Sequence, residues 1–214
     1  MQTDDLIVAL ARDLAPVPAG TVRRRIMLGI AAGAILPLVL VLLALGLRPD
    51  LSLAMQDFPF WVKLAYTLTL GAIALLASLR LCRPEVSRLP ALWPLLSIPF
   101  AALIFFAARE WSRAPAGSWI GLWLGRSEFK CMALIVLLSI PFFAGLVWTF
   151  QRLAPGNIRL AGAMAGLASG ACAATLYGLH CTESAMAFVL VWYTVGMGLA
   201  ALGGSLAASK FLRW

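Results

Sequence analysis

The chain has 214 residues, of which 62% are hydrophobic and only 12% charged, with a formal net charge of +8. Its mean hydropathy is +0.93, against roughly 25% charged residues in ordinary soluble domains. This excludes a soluble globular protein, and because the basic residues lie between apolar stretches, where positive charge sets orientation, it argues against nucleic-acid binding as well.

Residues 1–25 are the one sizeable stretch unsuited to a bilayer. Read as a helix, Thr3 is placed to N-cap, and Asp4 and Asp5 fall in the first turn, where carboxylates oppose the positive helix end. Leu6, Ile7, Leu10 and Leu14 share one face, with Asp13 among them in sequence. Pro16 and Pro18 stop the helix, and a short tether leads to Arg23-Arg24-Arg25. A short amphipathic helix cannot bury its own face, so this segment calls for a partner, or for a membrane surface to lie on.

Six apolar spans are expected to follow: Ile26 to Leu47, Trp61 to Leu81, Ala91 to Ala108, Cys131 to Phe150, Ile158 to Leu179 and Ala187 to Ser209. The first is longer than the about 7 to 15 residues of a signal-peptide core, and no clear cleavage site follows it, so it reads as a permanent helix. The fold class is therefore all-α: a polytopic membrane protein of six transmembrane helices, with residues 26–214 as the membrane domain. Placing the N-terminus inside leaves eleven of the 17 Lys and Arg residues on the inner side and six, including Arg48 and Lys63, outside. That bias favours N-in and C-in. Trp61, Trp111, Trp119 and Trp123 then fall in the two long outer loops, as in an interfacial belt.

No ionisable residue is expected in the middle of a span, which counts against transport. Pro37, Pro94, Pro99 and Pro141 read as kinks that membrane helices tolerate. Spans five and six carry small residues every four positions, Gly162, Gly166, Gly170, Ala174 and Gly178 in one and Gly196, Ala200, Gly204 and Ala208 in the other. Such strips let backbones approach closely, and pairing within the chain is the expected use.

Of the four cysteines, Cys172 reads as a small packing residue and Cys82 as an inner-side thiol. Cys131 and Cys181 fall at similar depth on the outer side, where they can form a disulfide or, with the single histidine His180, capture a soft metal ion. No paired carboxylates, phosphate loop, HExxH or GxSxG pattern supports an enzyme, and no cofactor is implied.

The run Thr3-Asp4-Asp5-Leu6-Ile7, Leu10-Ala11-Arg12-Asp13-Leu14 and Pro16-Val17-Pro18 resembles the N-terminus of the NrsF-like anti-sigma factors, a proteobacterial family of six-helix inner-membrane proteins. Leu47-Arg48-Pro49-Asp50-Leu51, Phe60-Trp61-Val62-Lys63, Cys131-Met132, Leu179-His180-Cys181, Trp192-Tyr193 and the closing Phe211-Leu212-Arg213-Trp214 extend the likeness along the whole chain. The resemblance implies that an extracytoplasmic-function sigma factor is held through the cytoplasmic N-terminal segment, and the amphipathic reading of that segment makes Asp4, Asp5, Leu6, Ile7, Leu10, Asp13 and Leu14 the expected contacts. The resemblance further implies release under stress such as heavy metals, with the family's two important cysteines matching Cys131 and Cys181. The partners expected are thus a sigma factor, the lipid bilayer and a heavy-metal ion at the cysteine pair. A small-solute permease or a structural membrane subunit is the alternative.

Overall fold

The computed structural model describes residues 21–83, 86–115, 117, 119–125, 128–151 and 155–211. The seven residues expected to contact a sigma factor, Asp4 to Leu14, lie outside them.

Among the described residues the regular structure is helical, and six helices are long and apolar enough to cross a membrane. Helix α1 (Thr21–Val39) continues through a π-helical turn, Leu40–Leu45, and stops at Gly46, whose φ of 77° suits a residue without a Cβ. A single turn, α2 (Leu51–Ala54), precedes α3 (Phe58–Leu81). Next come α4 (Leu92–Arg113), the short α5 (Trp119–Leu124) and α6 (Glu128–Phe150). Helix α7 (Ile158–Tyr177) is capped by the Asn157 side chain, which accepts from the Leu160 amide at 3.0 Å. The last span is α8 (Met186–Phe188), a π turn at Val189–Tyr193 and α9 (Thr194–Phe211).

Two boundaries and the place of one proline differ from the sequence reading. Helix α3 begins at Phe58, because extended Asp57 and Pro59 in the first turn form a natural start; this sets Lys63 about one turn further from the helix end than the expected start at Trp61. Helix α4 runs on to Arg113, carrying Arg109 and Glu110 in its last turns. Pro94 falls in the first turn of α4, where a missing N–H costs little, whereas Pro37, Pro99 and Pro141 sit inside helices that continue through them.

Helix α7 is central. Two-thirds of its most apolar window (67%) is buried, against 17% for α4 and 22% for the first span, because its small side chains let neighbours come close on several sides. It packs against α9, α3 and α6, while α4 lies on α3, and α1 on α6. The contact between α7 and α9 is the most extensive in the molecule and uses the two small-residue strips. A methyl on Gly162 would sit 2.6 Å from Gly204 O, and one on Gly170 2.9 Å from Ala200 Cβ. The expected pairing of these strips within the chain is observed. A second glycine crossing joins α1 to α6, where a methyl on Gly33 would lie 2.8 Å from Pro141 O and one on Gly145 would meet the Gly29 carbonyl. The Gly29-x-x-x-Gly33 spacing in α1 was the available signal for it.

Large apolar side chains cover the outer surface, including Leu43, Ile120, Trp93 and Leu206. Exposure on that scale fits lipid rather than water as the surrounding solvent.

Candidate thiol site

The end of the bundle opposite the start of α1 and the end of α9 holds a buried polar cluster. It forms where the first turn of α6, the last turn of α7, the loop 178–185, the start of α3 and the π turn before α9 meet. Cys131 faces inward from α6 and is fully buried, and Cys181, 3% exposed, stands on the loop one turn beyond α7. Their sulfurs are 3.6 Å apart. A disulfide needs about 2.05 Å, so the pair is poised for one without being bonded. Tyr177 Oη lies 3.1 Å from Cys131 Sγ and extends the cluster.

Lys63 closes the site. It is 3% exposed, and its Nζ donates to the main-chain oxygens of Cys181 at 3.3 Å and Glu183 at 3.0 Å. The same ammonium sits 5.1 Å from the centre of the Tyr193 ring. No carboxylate oxygen among the described residues comes within 4.0 Å of Lys63, and an ammonium removed from water is costly unless neighbouring dipoles and anions compensate it. Cys181, Cys131 and Glu183 are the groups nearby whose negative charge favours it. A hydrogen bond from Cys131 holds the Cys181 thiol below its ordinary value; burial opposes this, and the Lys63 charge reinforces it. Among the described residues Tyr193 Oη, fully buried beside the pair, makes no conventional hydrogen bond, though its hydroxyl also helps to hold the Cys181 thiol down.

The loop that carries Cys181 is tied to the end of α1. The Arg48 amide donates to Leu179 O at 3.1 Å, and the Arg48 guanidinium donates to Cys181 O at 3.5 Å. That guanidinium also grips Asp50 bidentately, Nε to Oδ1 at 2.8 Å and Nη2 to Oδ2 at 2.7 Å, which lowers the Asp50 carboxyl below its usual range and raises Arg48. His180 Nδ1 pairs with Gly46 O at 2.8 Å. Two stretches quoted above for the family likeness, Leu47 to Leu51 and Leu179 to Cys181, therefore face one another.

Of the residues expected to sense metal or redox change, Cys131 and Cys181 are brought together. His180 neighbours the pair in sequence, but its Nδ1 is turned to the Gly46 carbonyl. Among the described residues no group of three His, Cys, Asp or Glu side chains is arranged to hold a metal ion. Cys82 is buried at the end of α3, at the opposite end of that helix from Lys63, where burial pushes its thiol up to about 12. Cys172 is half-buried within α7.

Neither Lys63 nor Arg48 was expected at this site; both counted as outer-side charges and stood within stretches quoted for the family likeness. The Asp57-Phe58-Pro59 start signal was enough to set Lys63 more than one turn inside the helix. The rest of the cluster depends on how helices distant in sequence are arranged. Beside it, Glu110 Oε2 accepts from the Met186 amide at 2.6 Å, and Trp111 stacks edge-on with Trp119 and Trp123.

The pattern that defines the NrsF family, described as "Negative regulator of sigma F", matches residues 10–214. The chain is 38% identical over 216 aligned positions to the probable anti-sigma-F factor NrsF of Azospira oryzae, covering 100% of both chains. It is 37% identical over 215 positions to the anti-sigma-F factor NrsF of Caulobacter vibrioides, again covering 100% of both. No solved structure matches. With likeness running end to end, the chain belongs to the NrsF, negative regulator of sigma F, family.

Proposed function

We propose that this protein is a membrane-bound anti-sigma factor. It sequesters an extracytoplasmic-function sigma factor through residues 1–25 and releases it when the Cys131–Cys181 pair reacts under oxidative or heavy-metal stress. The single observation that carries the reading is the full-length likeness to two anti-sigma-F factors. The chain lies in a bacterial inner membrane with both termini in the cytoplasm, in keeping with the excess of Lys and Arg on that side.

Residues 1–25 act as the grip. An amphipathic helix lays Leu6, Ile7, Leu10 and Leu14 into a groove of the sigma factor, while Asp4, Asp5 and Asp13 meet basic residues there. A segment that orders on binding loses several kcal/mol to entropy, so the complex is releasable. For the signal, oxidation of the two thiols is the reaction that the 3.6 Å separation favours; a soft metal ion would take the same two sulfurs.

The test is co-purification of the full-length protein with the host's extracytoplasmic-function sigma factors, beside a chain lacking Met1 to Gly20. Capture of one sigma factor that is lost on truncation is the expected result. Capture of none by a folded membrane protein overturns the reading.

A further inference from the structure

The two sides of the thiol pair are mechanically different. Cys131 belongs to α6, which is built into the bundle against α7 and α9. Cys181 belongs to a loop, and that loop is fastened to the end of α1 by Arg48 and His180. Helix α1 in turn meets the rest of the bundle almost entirely through one neighbour, α6. Its buried positions form one stripe, Gly29, Gly33, Pro37 and Val41, flanked by half-buried Ile30 and Ala34 on one side and by exposed residues on the other. Its closest approach to the bundle is the glycine crossing with α6, where the two backbones meet and Thr149 Oγ1 lies against Gly29. The contact between α7 and α9 is more extensive.

We propose that Arg48 and His180 form a clasp through which closure of the Cys131–Cys181 bond tilts α1 about its glycine crossing with α6. Chemistry at one end of the bundle thereby reaches the segment 1–20 that precedes α1 at the other. This rests on reading Cys131 and Cys181 as the sensing pair. In the closing reaction each thiol gives up its hydrogen. One sulfur–sulfur bond replaces two S–H bonds, and two electrons and two protons pass to a two-electron oxidant such as an azodicarboxamide, which becomes the hydrazine. The sulfurs must converge by about 1.5 Å. The clasp carries the loop's share of that movement to Gly46 and Arg48, at the end of a helical rod about 37 Å long. Pivoting near Gly29 and Gly33 then moves the first turn of α1 in the opposite sense. There, Arg25 lies over the Trp148 ring at 5.6 Å, and its carbonyl accepts from Thr149 Oγ1 at 3.4 Å.

Those contacts supply the readout. The full-length chain, labelled with 5-fluorotryptophan and held in lipid nanodiscs without any sigma factor, is oxidised with the azodicarboxamide. Fluorine resonances are followed, with Trp148 assigned through Trp148→Phe and disulfide closure confirmed by mass spectrometry. In the native sequence the Trp148 line shifts on closure, as does that of Trp192 near the thiols. In Arg48→Gln/His180→Ala the Trp192 line still moves, but the Trp148 shift falls at least fivefold, and His180→Ala alone gives an intermediate shift. A Trp148 line that stays in place in the native chain after closure overturns the clasp, as does a shift of native size in either variant. Because no sigma factor is present, failure here is distinct from failure of sigma capture in the co-purification.

Discussion

The Lys63 ammonium is bound to the main-chain oxygen of Cys181 at 3.3 Å, so the buried cation of α3 and the loop thiol form one electrostatic unit. Replacing Lys63 with Met keeps the apolar stem and removes the charge. Cys181 is then expected to lose part of its thiolate, and its alkylation by iodoacetamide at pH 5, where the native thiol is about half ionised, should slow about fivefold for a one-unit rise. Lys63→Arg should retain most of the rate. Mass spectrometry of the labelled Cys181 peptide makes the comparison, and equal rates for native and Lys63→Met chains would show that the charge does not act on the thiol.

The direction of the Cys181 shift fixes a pH dependence. Its folded value lies below the ordinary 9.0, so the unfolded chain binds the proton more tightly. The stability it contributes is complete above the ordinary thiol value and is lost as pH falls through the lowered one. The gap in melting temperature between the native protein and Cys181→Ser should therefore widen as pH is raised toward 9. A gap that narrows over that interval contradicts the assignment.

The six spans and the pairing of α7 with α9 were legible in the sequence because each depends on a local pattern, hydropathy over about 20 residues or small residues at every fourth position. The cysteine pair was legible only as two residues at the same depth. That Cys131 and Cys181 meet depends on α6 packing against α7, which no spacing within either helix encodes. Lys63 was hidden for a different reason. A lysine near the end of a span usually snorkels to the interface, whereas here the carbonyls of Cys181 and Glu183 receive it inside, and those carbonyls are placed by a loop more than 100 residues away in the chain.

The small-residue strips divide by what faces them. A methyl added at Gly166 would press on the Ala200 and Ala201 backbone, while one at Gly198, on α9, meets nothing within 4 Å. Gly166→Val should cost about 1 to 3 kcal/mol through overpacking. Gly198→Ala should be neutral or stabilise by up to about 1 kcal/mol through helix propensity. Denaturant titration in mild detergent separates the two, and equal losses would show that α7 and α9 do not touch as described.

Two buried tyrosines offer a matched comparison. Tyr66 Oη is 2.8 Å from Thr194 Oγ1, whereas among the described residues Tyr193 Oη makes no conventional hydrogen bond. Tyr66→Phe should destabilise by about 1 kcal/mol, leaving Thr194 short of a partner. Tyr193→Phe should be neutral or mildly stabilising, since it removes an unsatisfied hydroxyl. A larger loss at Tyr193 than at Tyr66 in the same unfolding assay would mean that the Tyr193 hydroxyl has a partner in solution.

The grip is tested most sharply at Leu10, central in the apolar row Leu6, Ile7, Leu10 and Leu14. Central apolar anchors of an interface often account for about 2 kcal/mol or more each, a loss of about thirtyfold in affinity. An aspartate at the position adds the cost of desolvating a carboxylate. Leu10→Asp should thus abolish sigma-factor capture in a pull-down. Membrane insertion should be intact, since residue 10 precedes the first span at Arg24 to Leu45. Asp13→Ala, by contrast, removes a rim charge, and should slow association and flatten its salt dependence while leaving capture detectable at low salt. If Leu10→Asp binds as the native chain does, the apolar face is not the contact. If Asp13→Ala alone abolishes binding, charge and not burial holds the sigma factor, and the grip would be released by salt rather than by a change in helix position.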